Sequence, residues 1–314
     1  MVSRDTAEFA PAWDAPVPYM QRTRDWYLAL GYDNPYVWAH YLDTPFQALT
    51  RPLADSRVTL VTTAAPYQPG RGDQGPGSAY NAAAKFYDVY TGRTDDEHDL
   101  RISHVGVDRA HMSADQRVYF PLPALRQAAE DGRVGEVGPR FYGAPTNRSQ
   151  RHTLEVDCPQ ILDLVRQDDV DAVVLVPNCP VCHQTVSLVA RHLEANGVPT
   201  VVLGAAKDIV EHCGVPRFVF TDAPLGNACG RPDDPASQAA TFDLALRTLA
   251  SAPAPRTTVQ NPLRWSDDAT WKQEFLDTSR LTAEDIRAAR EENDRIKEVA
   301  RQRREEADAV GATR

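Results

Sequence analysis

Asp171-Ala-Val-Val-Leu-Val-Pro-Asn-Cys179-Pro-Val-Cys182-His183-Gln184-Thr185 is the stretch that decides how this chain folds. A short β-branched run reads as a buried strand, and Pro177-Asn178 turns the chain out of it. A helix then starts at Pro180, where proline is favoured because its missing N–H would have had no partner anyway. Cys179 therefore falls at the N-cap, where free N–H groups and the positive end of the helix dipole stabilise a thiolate. Val186, Val189, Ala190 and Leu193 form the buried face of this helix, and Gly197 ends it. Cys182 lies one turn from Cys179 at the edge of that face. A pair so placed can close into a disulfide with little motion, Cys179 as the exposed attacker and Cys182 as the protected resolver.

Working outward, the same alternation recurs. Val58–Thr63 is a strand, followed by the glycine-rich loop 70–77, a helical stretch from about Tyr80 to Tyr90, and short strands at Leu100–Val105 and Arg117–Phe120. Leu122–Asp131 is a helix closed by Gly132. A second block runs helix (Leu154–Gln167), strand (Asp171–Val176), helix (Pro180–Asn196), strand (Thr200–Leu203), short helix near Asp208, and strand (Arg217–Phe220). Strands alternating with helices at this spacing mean βαβ units. The expected fold is α/β, with a doubly wound, mainly parallel sheet in two related halves, about 56–150 and 151–250, facing a cleft. Residues 1–55 form an N-terminal helical and irregular segment whose helix, Met20–Leu30, is stopped by Gly31. In 251–314, Ala252–Pro262 is a linker and Arg280–Asp308 a charged helix opened by Thr282 and Asp285 in a capping box. Its apolar stripe (Ile286, Ala289, Ile296, Ala300) is thin, as expected of a solvated helix lying on the body or on a second subunit.

Composition narrows the function. In 314 residues, 42% hydrophobic and 25% charged residues exclude wholesale disorder and a fibrous repeat. A formal charge of −10 argues against nucleic acid or an anionic membrane as the main partner. No apolar run approaches the roughly 20 residues that span a bilayer, and Met1–Met20 lacks the pattern of a signal peptide, so a cytoplasmic protein is expected. Five cysteines with one tight pair favour thiol chemistry or a metal over a disulfide framework. Three other readings of that pair stand beside the redox one. Cys-x-x-Cys-His is the attachment pattern of c-type haem, which the strand–turn–helix context opposes. A structural zinc would need two more ligands, from Cys213, Cys229, His183 or His212. Plainly buried cysteines are common, but explain a Cys-x-x-Cys at a strand-to-helix junction poorly.

Val176–Thr200, with its Pro-Asn-Cys-Pro-Val-Cys-His-Gln-Thr core, resembles the selenoprotein B subunit of the glycine/sarcosine/betaine and D-proline reductases. So do Ile102-Ser-His104-Val-Gly-Val-Asp-Arg-Ala-His111, Val118–Arg126, Glu130–Gly135 and Pro224-Leu-Gly-Asn227. The resemblance implies that Cys179 stands at the position of that family's reactive selenocysteine, and Cys182 at that of its cysteine. It further implies an oxidoreductase with a small, amino-acid-like substrate and an external dithiol or thioredoxin-type reductant. Sulfur in place of selenium is a weaker nucleophile and a poorer leaving group. The family's reductases also use a separate pyruvoyl-bearing subunit, which nothing in this chain supplies, so a pyruvoyl-type partner is expected elsewhere if at all. The ends, 1–55 and 251–314, match no such pattern.

The expected chemistry is a thiol-dependent reduction that cleaves a carbon–heteroatom bond through a Cys179 adduct, which Cys182 resolves as a disulfide. His183, adjacent to Cys182, is the candidate to assist deprotonation of Cys179. Candidate substrate-binding residues are Asp73, Gln74 and Gly75 in the glycine-rich loop, whose N–H groups could hold a carboxylate or phosphate, together with His104, His111, Asn178 and Asn227. No bound cofactor is assigned, and zinc at the cysteines is the open alternative; a homo-oligomer is expected. A redox-neutral, racemase-like two-cysteine site is disfavoured, because the loop after Val61 reads Thr62-Thr63-Ala64. A zinc-binding or redox-sensing module is the rival outside catalysis.

Overall fold

Buried strands and half-buried helices alternate through the computed structural model, which describes residues 15–33, 36–75, 78, 81–102, 104, 106–274, 278 and 281–311. The order begins α1 (Tyr19–Ala29), β1 (Arg57–Thr62), β2 (Ala65–Pro66), β3 (Tyr90–Arg93), β4 (Leu100–Arg101), α2 (Leu122–Glu130), β5 (Glu136–Val137) and β6 (Arg140–Gly143). It continues α3 (Cys158–Gln167), β7 (Ala172–Val176), α4 (Pro180–Ala195), β8 (Thr200–Gly204), α5 (Lys207–Cys213) and β9 (Arg217–Phe220). It ends α6 (Pro235–Ser251), β10 (Thr257–Gln260), α7 (Trp271–Glu274) and α8 (Ala283–Gly311).

One sheet carries the chain, in the order β10–β9–β8–β7–β1–β6–β3, with β5 also paired to β1. All its pairings are parallel except that of β3 with β6. Val58, Leu60, Val174, Leu203 and Val219 face α2 and α6 through Leu125, Phe242 and Leu246. Val61, Val173, Leu175, Val202 and Phe218 face α3, α4 and α5 through Ile161, Val189, Leu193 and Val210. Every residue of β7 and β8 is buried, as a parallel sheet covered on both faces requires. The fold is thus α/β with a mainly parallel central sheet. The stretches 56–150 and 151–250 lie side by side in that sheet, joined where Val58 to Thr62 pairs with Ala172 to Val176, rather than facing each other as two sheets.

Several elements differ from the sequence expectation. Within 80–90 the described residues make a single 3₁₀ turn, Ala82–Ala84, not a helix. Asn81 Oδ1 accepts from the Ala83 N–H while its Nδ2 donates to the Arg71 and Asp73 carbonyls, and the aromatic run that follows extends into β3. Arg117–Phe120 is likewise no strand. Asp115 accepts from the Arg117 N–H and pairs with its guanidinium, closing a 3₁₀ turn at Gln116–Val118. Only Leu100–Arg101 of the strand expected at 100–105 forms; Ser103 and Val105 lie outside the described residues, as do Pro76 and Gly77 of the glycine-rich loop and Tyr80. The helix expected from Leu154 begins earlier, with an α turn at Gln150–His152 and a π turn at Thr153–Asp157 leading into α3. Pro159 has no N–H to give the carbonyl four residues back, and the Cys158 N–H reaches Thr153 O instead. Thr257–Gln260 of the expected linker adds a parallel edge strand on β9.

β1 places the site. Its connection through α2 returns on one side, at β5 and β6, and the chain then passes through α3 to β7 on the other side. Connections that diverge from neighbouring parallel strands leave a crevice beyond their carboxyl ends. Here those ends are Thr62-Thr63-Ala64, Gly143 to Thr146, and Val176 to Cys179. The far end of α4 is anchored: Glu194 accepts from Arg217 at 2.7 Å and from Thr200 Oγ1 at 2.9 Å, all buried.

Candidate active site

β7 ends at Val176, and the Asn178 N–H donates to Thr63 Oγ1 at 3.1 Å, fastening the turn to the end of β1. Cys179 follows in extended conformation (φ −100°, ψ 171°) as the N-cap of α4, its Sγ accepting from the Cys182 N–H at 3.2 Å. Pro180 is in the first turn, as its fixed φ prefers. The two cysteine sulfurs touch, with Cα atoms 4.9 Å apart, a spacing at which a disulfide closes. Cys182 is wholly buried, and Cys179 is 5% exposed. Tyr36, Trp38 and Val107 pack over the pair. Gln184 holds that cover by accepting from the Ala39 N–H and donating to Tyr36 Oη, each at 2.6 Å.

The histidine on the sulfur is His104. Its Nδ1 lies 3.1 Å from Cys182 Sγ, and Thr146 Oγ1 lies 3.3 Å from the same atom. Burial pushes His104 down to about 3, with the charges of Lys85 and Arg148 adding to it, so the ring is neutral at pH 7. His183 does something else. Its Nδ1 bonds the Cys179 carbonyl at 2.7 Å, which makes it the donor nitrogen, and Nε2 accepts from the Ala205 and Ala206 N–H groups at 3.0 and 3.1 Å. Burial pushes this ring down to about 4, against the bond to Cys179. Both nitrogens are committed to backbone, so His183 clamps the start of α4 to the start of α5 and is not placed as a base for Cys179. Gly204 makes room: a Cβ there would stand 2.9 Å from the ring.

A pocket of about 540 Å³, open to solvent, meets the cysteines. Cys179, Pro180 and Val181 form one wall, Trp26 and Tyr27 of α1 another, and His104, Thr146, Lys85 and Arg148 the rest. Lys85 donates to the Thr146 carbonyl. Sequence reasoning missed Lys85, Thr146 and Arg148; none sits in a motif, and only the adjacency of β6 to β1 brings them here.

Other expected residues fall elsewhere. Gln74 folds back on Gln68, accepting from its N–H and donating to its carbonyl at 2.8 and 2.6 Å. The Gly75 N–H donates to Asp73 Oδ1 at 2.9 Å. These groups satisfy one another, so the described part of the loop, up to Gly75, is a closed turn rather than an open anion cradle. Gln74 and Gly75 line a second pocket, about 360 Å³, with Arg101, Arg109 and Tyr119. His111 and Asn227 meet at Asp108, whose Oδ2 lies 2.9 Å from His111 Nδ1 and accepts from Asn227 Nδ2 at 2.9 Å. His111 is exposed against Trp265. Asn178 is wholly buried, and neither atom of its side-chain amide has a partner among the described residues.

Among the described residues, metal ligands are fewer than zinc would want for a structural role. His104, Cys179 and Cys182 bring donor atoms within 4.8 Å of one another, a set zinc accepts but one short of a closed tetrahedron. The expected supplements are absent from the group. Cys213 and Cys229 are buried in the cores on opposite faces of the sheet, His183 is bonded to backbone, and His212 stacks on His40 at 4.6 Å.

Residues 44–178 match the family model described as glycine/sarcosine/betaine reductase selenoprotein B. Over those residues the chain is similar to that family. It is 29% identical over 221 residues to D-proline reductase subunit gamma of Acetoanaerobium sticklandii, covering 69% of this chain and 88% of that one. It is 24% identical over 208 residues to glycine reductase complex component B subunit gamma of Symbiobacterium thermophilum, covering 65% and 48%. To betaine reductase complex component B subunit beta of Peptoclostridium acidaminophilum it is 26% identical over 127 residues, covering 40% and 29%. The chain thus spans about half or less of the glycine and betaine reductase subunits. The family match ends at Asn178, so the cysteine pair lies immediately beyond it. No solved structure gives a match. These relatives are each named as a subunit of a reductase or reductase complex. Among the described residues no helix is long and apolar enough to cross a membrane.

Proposed function

We propose that this chain is a thiol-dependent reductase subunit that cleaves a carbon–heteroatom bond of a small, activated substrate. The observation that carries the reading is the contacting Cys179–Cys182 pair at the start of α4, with Cys179 facing a pocket and His104 on Cys182. In the first step Cys179 thiolate attacks the substrate carbon, and the heteroatom leaves with the bonding electrons. Cys182 then attacks Cys179 Sγ as it gives up its thiol proton, the sulfur–carbon bond breaks, and its electrons go to carbon, which takes up a proton. Two electrons pass from the dithiol to the substrate, leaving a Cys179–Cys182 disulfide for an external dithiol to reset. Release of electrons to carbon is feasible only where an adjacent carbonyl delocalises them. Neutral His104 takes the proton from Cys182 as it attacks; burial beside Lys85 and Arg148 makes the resulting imidazolium a strong acid toward the departing carbon. The relatives' names, each a subunit of a reductase, support this class and a partner subunit. A pyruvoyl-type partner would supply the means of holding an amino substrate.

The test is incubation of the reduced protein with an α-halo ketone. Formation of one equivalent of dehalogenated ketone with loss of two thiols is expected. The His104–Cys179–Cys182 group favours zinc binding as the second reading. Stoichiometric zinc that survives dialysis and blocks both thiols until chelated would replace the reductase reading with it.

A further inference from the structure

We infer that Arg148 is the anion-binding residue of this site, selecting substrates that carry a carboxylate close to the carbon that Cys179 attacks. The inference rests on the thiol reading above. Although the chain carries −10, the pocket beside Cys179 is lined by Lys85 and Arg148 and by no Asp or Glu among the described residues. Among the described residues Arg148 has no hydrogen bond or ion pair there; its guanidinium stands over the Tyr27 ring, 5.8 Å from the centroid. A guanidinium stacked on an aromatic face and left without a counter-charge presents its planar fork to a carboxylate.

The backbone points the same way. Arg148 sits at φ +56°, a left-handed conformation that a long side chain rarely adopts. Its neighbours pin it: Asn147 Nδ2 donates to the Tyr87 carbonyl at 2.8 Å, and Ser149 Oγ accepts from the His152 N–H at 3.1 Å to cap the following helical turn. Strain of this kind persists where the surrounding structure fixes it, and here it sets Arg148 on the pocket wall. The start of α4 adds its positive dipole end at Cys179. After burial, the charges of Lys85 and Arg148 account for the lowering at His104, so both act on the reacting end of the pocket.

Iodoacetate and iodoacetamide test this, since they present the same electrophilic carbon with and without the charge. Each is applied to the reduced full-length protein, and labelling of Cys179 is timed by peptide mass spectrometry. The readout is the iodoacetate-to-iodoacetamide rate ratio at Cys179, because a nearby cation that merely favours the thiolate raises both rates. Arg148→Gln should lower that ratio by about tenfold, the loss expected for a charge-assisted contact. Arg148→Gly, which suits the left-handed backbone, should do the same without strain, and Arg148→Lys should retain part of the preference. An unchanged ratio in both neutral variants overturns the assignment while leaving the thiol reading intact. If iodoacetamide labels Cys158, Cys213 or Cys229 ahead of Cys179, it is the thiol reading that falls.

Discussion

At the residue scale, environment separates cysteines that composition treats alike. Burial pushes the Cys213 thiol up to about 12 and raises Cys158 and Cys229 as well, so all three are inert at neutral pH. Cys179, at a helix start and on a pocket wall, should be alkylated first at mildly acidic pH, with a rate at least tenfold above any of those three. Peptide mapping after a short iodoacetamide pulse checks it. His104→Ala should leave adduct formation at Cys179 within a few-fold of wild type but slow its resolution by about a hundredfold, the usual worth of a positioned proton acceptor. The motif around Cys179 made the contacting Cys179–Cys182 pair legible. It could not say which histidine lies against that pair: His183 adjoins Cys182 in sequence, yet helical geometry turns it onto backbone. His104, 78 residues away, reaches Cys182 Sγ through the fold.

At the element scale, the β7–turn–α4 unit was legible because local signals agree: a β-branched run, Pro180 at the first turn, a capping side chain. The box at Thr282 and Asp285 was legible for the same reason; the Thr282 N–H donates to Asp285 Oδ2 at 2.8 Å and the Asp285 N–H to Thr282 Oγ1 at 3.2 Å. The described part of 80–90 and residues 117–120 were misread because side-chain bonds of Asn81 and Asp115 close turns there, and 257–260 because the free edge of β9, distant in sequence, decides it. Gly204→Ala should cost about 2 kcal/mol, since its Cβ would meet His183 and Pro177 in a packed junction, and thermal unfolding measures it. Acid should weaken the same region. His183 at about 4 and His104 at about 3 both lie below the ordinary imidazole value near 6.5, so the unfolded chain takes up protons first. Stability is full above pH 6.5 and falls as pH drops toward 4. Asp157, raised by burial to about 6, and Glu194 and Asp208, also raised by burial, run the other way, whereas His192 and His212, lowered by burial, act with His183 and His104. The melting temperature should therefore fall from pH 7 to pH 5, and less steeply in His104→Gln.

At the scale of the whole molecule, a mainly parallel α/β sheet was legible from alternation, whereas its strand order was not, because that order is set by long-range pairing. The N-terminal segment, most of which lies ahead of the family match, turns out to cover the cysteines through Tyr36 and Trp38 and to wall the pocket through α1. α8 braces that wall. Arg290 donates to the Leu30 carbonyl at 2.7 Å, and its guanidinium and the Lys297 ammonium lie over the Tyr32 ring, whose hydroxyl donates to Asp294. Removing residues 281–314 should change the Cys179 alkylation rate several-fold while leaving the sheet's unfolding transition in place, as read by mass spectrometry and circular dichroism. The central claim is the division of labour between the two cysteines, and intact mass after exposure to an α-halo ketone tests it most directly. Cys182→Ser should gain one covalent adduct and stall there, Cys179→Ser should gain none, and the wild type should return to its own mass as a disulfide with the ketone dehalogenated. A stable adduct on Cys179→Ser, or dehalogenation by Cys182→Ser without added thiol, would contradict it.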